Sequence, residues 1–289
     1  MTKVIQQGAV DFSVNYKVQT TWGLQEALTF VLEGLGASLF LLSLMSDYLG
    51  GMVAGILILM ASGVLLIMHL GNPKNMIYVL ANIRHSWMSR GAALIPLFIG
   101  LGVVIVVLQG LLGISANGPG RTFLLILFAL LTIFVVSKSG LVMTTFPAIS
   151  FWNGGLLPVV FALSGLTSGL TVFLALSGWS LSEYPWILPG LLALLCIAVM
   201  LYLLIIKNAG AAANVSVDLI TEHHFAEFYG VGIVLGILLP LAIGVYIAFV
   251  PTTATFPLFA IMAVARVLGD IVIRDVILKV GVFDKVLSG

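Results

Sequence analysis

The feature that most constrains this chain is a recurrence. Apolar windows of about 20 residues, the length an α-helix needs to cross the hydrocarbon of a bilayer, return along the chain with only short polar interruptions. They lie near 22–45, 52–70, 91–113, 121–145, 154–177, 186–206, 228–250 and 255–280 of 289 residues. Inside lipid no water is present to satisfy peptide groups, so each window must close its hydrogen bonds within itself as a helix. The expected fold is therefore an all-α integral membrane protein, a bundle of eight transmembrane helices forming a single domain over 1–289, with both termini on the same side. Composition agrees: 61% of the residues are apolar, 8% are charged and the mean hydropathy is +1.22, values foreign to water-soluble domains. Residues 1–21 are polar and mixed, without the basic start, apolar core and small-residue cleavage site of a secretory leader, so none is expected. One cysteine, Cys196, excludes a disulfide framework or a cysteine-ligated cluster within the chain.

The connections divide into two kinds. Those at 46–51, 114–120, 178–185 and 251–254 are short, whereas the tail 1–21 and the segments 71–90 and 207–227 are long enough to fold onto a partner. Lys3, Lys17, Lys74, Arg84, Arg90, Lys207, Lys279 and Lys285 fall on the side of the long segments, and only Arg121 falls on the other. The excess of basic residues on cytoplasmic loops then predicts cytoplasmic termini and a cytoplasmic elaborate face. Trp22, Trp87, Trp152, Trp179 and Trp186 all fall near span ends, as an interfacial aromatic belt requires.

Ionisable groups inside spans are costly and mark function or ion pairing. Glu26 and Glu33, seven residues apart, share a face of the first span, and Lys138 lies in the fourth. Arg266, Asp270 and Arg274 follow at i, i+4 and i+8 in the eighth, a spacing that predicts an internal salt-bridge ladder near the membrane interface. Glu33 has no opposite charge within a turn, so it either takes a partner from another helix, Lys138 being the candidate, or carries a proton. A structural pair and a proton acceptor or relay both remain open for it.

Four histidines, His69, His85, His223 and His224, are too few and too scattered for a membrane haem, which takes two axial ligands from facing helices. His223 and His224, beside Glu222 and Glu227, are adjacent and cannot share a helical face, which predicts a solvated amphipathic helix and not a metal site. His69 stands in MHLGNPKNM (68–76), where an apolar run ends and Gly71, Asn72 and Pro73 break the helix. A histidine there either caps the helix C-terminus or serves chemistry at the membrane surface.

Four segments carry a resemblance: WGLQEALTFVLEGLGAS (22–38), HLGNPKNMIYVLANIRHSWMSRGA (69–92), SGLVMTTFPAISFWNGGLLPVVFALSGLTSG (139–169) and LGDIVIRDVILKVG (268–281). Together they resemble the NrfD/PsrC family of polysulfide-reductase-type membrane subunits, with similarity to DmsC-like anchors around His69. The resemblance runs through nearly the whole chain in the right order, the P-x-x-x-x-W-N before L-P being its most specific part. It implies a haem-free subunit with no iron–sulfur cluster of its own, in a prokaryotic cytoplasmic membrane. Such a subunit binds menaquinone or ubiquinone and docks a ferredoxin-like iron–sulfur subunit, itself attached to a molybdopterin catalytic subunit, on the face of 1–21, 71–90 and 207–227. His69 is then expected to hydrogen-bond a quinone carbonyl and exchange protons, work suited to a side chain that titrates near neutral pH. Glu33, Lys138, Glu26, Trp87 and Arg90 join it as candidates for quinone binding or proton relay.

The chain also departs from the family. Lys138 stands where relatives carry a tyrosine before the T-G or S-G step, and Glu33 where they have a glycine. A paired introduction of opposite charges is consistent with a Glu33–Lys138 bridge, and it leaves the tyrosine-type quinone contact without its residue. Two other classes stay open: a secondary transporter with a charged site between helices, and a purely structural anchor. The direction of electron flow is not written in these residues.

Overall fold

A computed structural model describes residues 16–69, 76–114, 117–178, 185–251 and 255–284, with the backbone alone at 69, 76 and 77. Helix α1 (Leu24–Met45) leads through a tight turn into α2 (Leu49–His69); a short α3 (Met76–Val79) and a 3₁₀ turn (Leu80–Asn82) precede α4 (Trp87–Leu111). Then come α5 (Gly118–Met143), α6 (Leu157–Ser177), α7 (Ile187–Ile206) and the shorter α8 (Ala211–Glu222). A π-helical stretch (Ala226–Leu238) continues directly into α9 (Leu239–Phe249), and α10 (Phe256–Lys279) closes the bundle. Among the described residues eight helices are long and apolar enough to cross a membrane, the π stretch and α9 together forming one of them.

Where boundaries differ from expectation, local chemistry gives the reason. Helix α2 starts at Leu49 and not near 52 because the turn spans only Ser46–Tyr48, with Asp47 at φ 53, a left-handed conformation that aspartate tolerates better than most residues. The start of α4 moves from 91 back to Trp87, since the Ser86 side chain caps the helix by accepting from the Ser89 amide. Gly154 and Gly155 stay outside α6, which begins at Leu157 with Pro158 in its first turn. Helix α8 falls within the long segment 207–227; it buries Ala212, Ala213, Val215, Ser216, Val217 and Ile220, and His223 caps its C-terminus.

Helices α1 and α6 form the centre: 72% of the most apolar window of each is buried, against 22% for α4. Helix α1 packs on α2, α5, α6 and α10, and α6 also meets α5, α7 and α10. Lipid offers no hydrophobic drive to bring helices together, so close backbone approach through small residues carries the association. At the α1–α2 crossing a Cβ on Gly36 would stand 2.8 Å from the Gly55 carbonyl oxygen, and one on Gly55 2.8 Å from the Gly36 oxygen. Gly236 and Gly269 meet backbone to backbone in the same way between the π stretch and α10.

The two ends of the described chain meet. Val18 and Val282 form an antiparallel bridge, the Gln19 amide donates to the Gly281 carbonyl (2.8 Å) and the Phe283 amide to the Lys17 carbonyl (2.9 Å). Around them Val18, Val282, Ala212 and Val215 pack together, beside a Trp22–Phe146–Trp152 aromatic cluster. This terminal end of the bundle is a folded platform.

Candidate functional site

Among the described residues two buried charged groups lie within the bundle. The first joins α1 to α5: Lys138 Nζ stands 2.7 Å from both carboxylate oxygens of Glu33, donating to Oε1. Oε2 has the electrostatic contact but no aligned hydrogen bond. Glu33 is 2% exposed and Lys138 6%. The lysine stem fits because α4 presents Gly91 there, where a Cβ would meet Lys138 Cδ at 2.5 Å. Phe30 of α1 places its ring 5.8 Å from Nζ.

The second is the α10 ladder. Arg274 Nε donates to Asp270 Oδ1 at 2.8 Å, and an Arg266 amino nitrogen lies 3.8 Å from the same oxygen. All three residues are essentially inaccessible. The ladder runs from Arg266, the eleventh of 24 residues in α10 and close to its middle, to Arg274, five residues from its end. Charges at that depth need every donor and acceptor matched, and α6 supplies the matches. Ser164 donates to Asp270 and accepts from Arg266, Ser168 donates to Asp270 at 3.1 Å, and Thr167 accepts from Arg266 Nε at 3.1 Å. Further guanidinium donors go to the Gly236 and Phe161 carbonyls and to Ser139, and Arg274 stacks 4.4 Å over the Phe161 ring.

The two groups are neighbours. Ser139, next to Lys138, accepts from Arg274 at 3.3 Å; a Cβ on Gly34, next to Glu33, would stand 3.8 Å from the same guanidinium. Sequence reasoning named the five charges but missed the hydroxyls and Gly91. A signal was present: Ser164, Thr167, Ser168 and Thr171 recur at i, i+3, i+4 and i+7, one polar stripe along an apolar helix.

The other candidate residues lie nearer the terminal end. Glu26 serves the start of its own helix: its Oε2 accepts from the Gly23 amide at 2.8 Å, a capping box that starts α1. Arg90 folds back on its own segment, donating to the Ile83 (3.1 Å) and Arg84 (2.8 Å) carbonyls and stacking 4.2 Å over Trp87. His69 closes α2, and its side chain lies outside the described residues. Its backbone stands one turn beyond Leu65, whose carbonyl accepts from Gln25 Nε2 of α1 at 3.4 Å. His224 Nδ1 pairs with Glu227 Oε2 at 2.7 Å. Of the segments expected to dock partners, 1–15 and 71–75 lie outside the described residues.

Gln19 was also missed. Its side chain donates to the Trp22 and Leu278 carbonyls, both at 2.7 Å, and accepts from the Thr21 and Trp22 amides, tying the entry of α1 to the exit of α10. Neither a family model nor a curated protein matches the chain.

Proposed function

We propose that this chain is the quinone-binding membrane subunit of a molybdenum or tungsten iron–sulfur oxidoreductase, passing electrons between the membrane quinone pool and an iron–sulfur partner. The observation that carries the reading is the buried Glu33–Lys138 pair beside the Arg274 side chain, set in the bundle half that lies under the terminal platform. Lys138 is five residues from the end of α5, about 8 Å at the helical rise. Quinone reduction consumes a proton with each electron, so its site needs ionisable groups at the membrane's edge and a dry surround that holds them in place. His69 at the exit of α2 supplies a donor for a quinone carbonyl, with Trp87 and Arg90 opening the neighbouring α4.

The platform suits a docked subunit. Beside Arg84 and Arg90 it exposes Tyr78, Leu80, Ile83 and Met88, large apolar side chains interleaved with cations, the mixture a protein interface favours. The distribution of basic residues supports a cytoplasmic setting for this face.

The test is gentle purification of the tagged chain from native membranes, identification of what travels with it, and an assay of quinone-linked redox change at iron–sulfur centres. The expected result is a stable complex whose clusters respond to quinol, with His69→Ala slowing that response by roughly 100-fold, the lower range for a positioned proton donor. A solitary protein without bound quinone would overturn the reading and favour a transporter.

A further inference from the structure

At the end of the bundle opposite the terminal platform, α4 and α5 line a cleft of about 130 Å³. Each helix gives it one face: Ile105, Leu108 and Gln109 of α4, and Arg121, Leu124 and Leu125 of α5, both sets at i, i+3 and i+4. After α4 the chain folds back, Gly113 taking a left-handed φ of 65 that glycine adopts without strain. The Ile114 amide then donates to the Leu108 carbonyl at 2.9 Å, and Ile114 joins the wall. Ile105 and Leu125 lie about 10 Å inside their helix ends at the helical rise. Apart from Asp47, Gln109 and Arg121 the lining is apolar. An apolar cavity of roughly 150 Å³ takes up benzene, so this cleft has room for a short run of hydrocarbon chain.

The three polar residues sit where the spans end: Asp47 in the α1–α2 turn, Gln109 in the last turn of α4 and Arg121 in the first turn of α5. Arg121 Nη1 donates to Asp47 Oδ2 at 2.6 Å and its other amino nitrogen donates to the Met45 carbonyl at 3.1 Å. Three of the five guanidinium N–H groups are left over. Asp47 Oδ1 and the Gln109 carboxamide take no partner among the described residues. Both charges are partly exposed. The cleft therefore joins an apolar interior to a rim that carries one cation, one anion and an amide, at the depth of the lipid headgroups. A free phosphate has nothing to place in the interior, and an anionic lipid meets Asp47 as well as Arg121. A quaternary ammonium brings no N–H to Asp47, whereas a primary ammonium brings three.

We propose that this cleft binds one phosphatidylethanolamine molecule, with its phosphate on Arg121, its ammonium on Asp47 and part of an acyl chain between α4 and α5. The lipid phosphate accepts from the spare guanidinium N–H groups, the ammonium donates to Asp47 Oδ1, and the Gln109 carboxamide donates to an ester carbonyl. The Arg121–Asp47 pair is then half of a four-charge ring that the lipid completes. Arg121 and Lys138 lie about 25 Å apart along α5 at the helical rise, so the cleft is separate from the quinone site and the two readings fail independently.

The test is native mass spectrometry of the full-length protein, taken from vesicles of equal parts phosphatidylethanolamine, phosphatidylcholine and phosphatidylglycerol with matched chains. Wild type should retain one phosphatidylethanolamine with a preference of about fivefold over each of the others, the upper range for a partly exposed ion pair. Asp47→Asn keeps a residue that tolerates the left-handed turn and should abolish the preference over phosphatidylglycerol, because the acceptor charge and the repulsion leave together. Leu124→Trp, which fills the cleft, should lose the retained molecule. Equal retention of the three lipids by wild type, as from a merely annular shell, or a preference for phosphatidylglycerol would overturn the proposal. So would a preference unchanged in Asp47→Asn, or undiminished phosphatidylethanolamine on Leu124→Trp.

Discussion

The two charged groups inside this bundle are built on opposite plans. The α10 ladder has its charges in one helix at single-turn spacing and draws its solvation from serine and threonine of α6 and from backbone carbonyls. The Glu33–Lys138 pair joins two helices 105 residues apart in sequence and has little besides itself. A charge can be held deep in a membrane either by surrounding it with fixed dipoles or by a single counter-ion. The ladder follows the first plan and the pair the second.

Substitutions that strip the ladder should test how much of its permanence comes from that polar shell. Asp270→Asn carries the largest expected effect, since it leaves two buried guanidiniums without a counter-ion. A loss of about 3–5 kcal/mol should appear as a depleted folded fraction in denaturant titration of the reconstituted protein. Ser164→Ala removes a hydroxyl that serves both Arg266 and Asp270 but leaves the ion pairs in place; a shift of about 1.5–3 kcal/mol, the range for a hydrogen bond to a charged group, is expected in the same titration. Ser139→Ala breaks the link between the two groups, and because that bond is long the cost should stay near 1 kcal/mol. If it destabilises as much as Ser164→Ala, the two groups are one network and the contrast fails. The smallest effect belongs to the surface: Arg121 and Asp47 pair at 2.6 Å but are 35% and 47% exposed. Arg121→Ala should therefore change unfolding by less than about 1 kcal/mol, with part of that screened by salt.

Much of the molecule is legible from its residues, for reasons that differ by element. The helices follow from the absence of water, which leaves an apolar stretch of that length no other way to satisfy its backbone. Their ends moved by a few residues, because Asp47, Ser86 and Pro158 set turns and caps that hydropathy does not register. The pair partner of Glu33 was readable because Lys138 is an opposite charge in a span with no counter-ion within a turn. Glu26 was misleading for the same reason: its seven-residue spacing put it on the face of Glu33, whereas its carboxylate turns back to cap α1.

What the sequence determined by itself is the solvent each segment must face: eight apolar stretches fit only a bilayer, and ionisable residues within them must be neutralised. Only the tertiary structure decided how. The hydroxyls of α6 meet the ladder because α6 and α10 pack face to face, and Lys138 finds room because α4 brings a glycine to its stem. Gln19 joins the first helix to the last because the chain ends meet. Hydropathy is a property of one segment; the acceptors that hold a buried charge belong to whichever helix happens to be packed beside it.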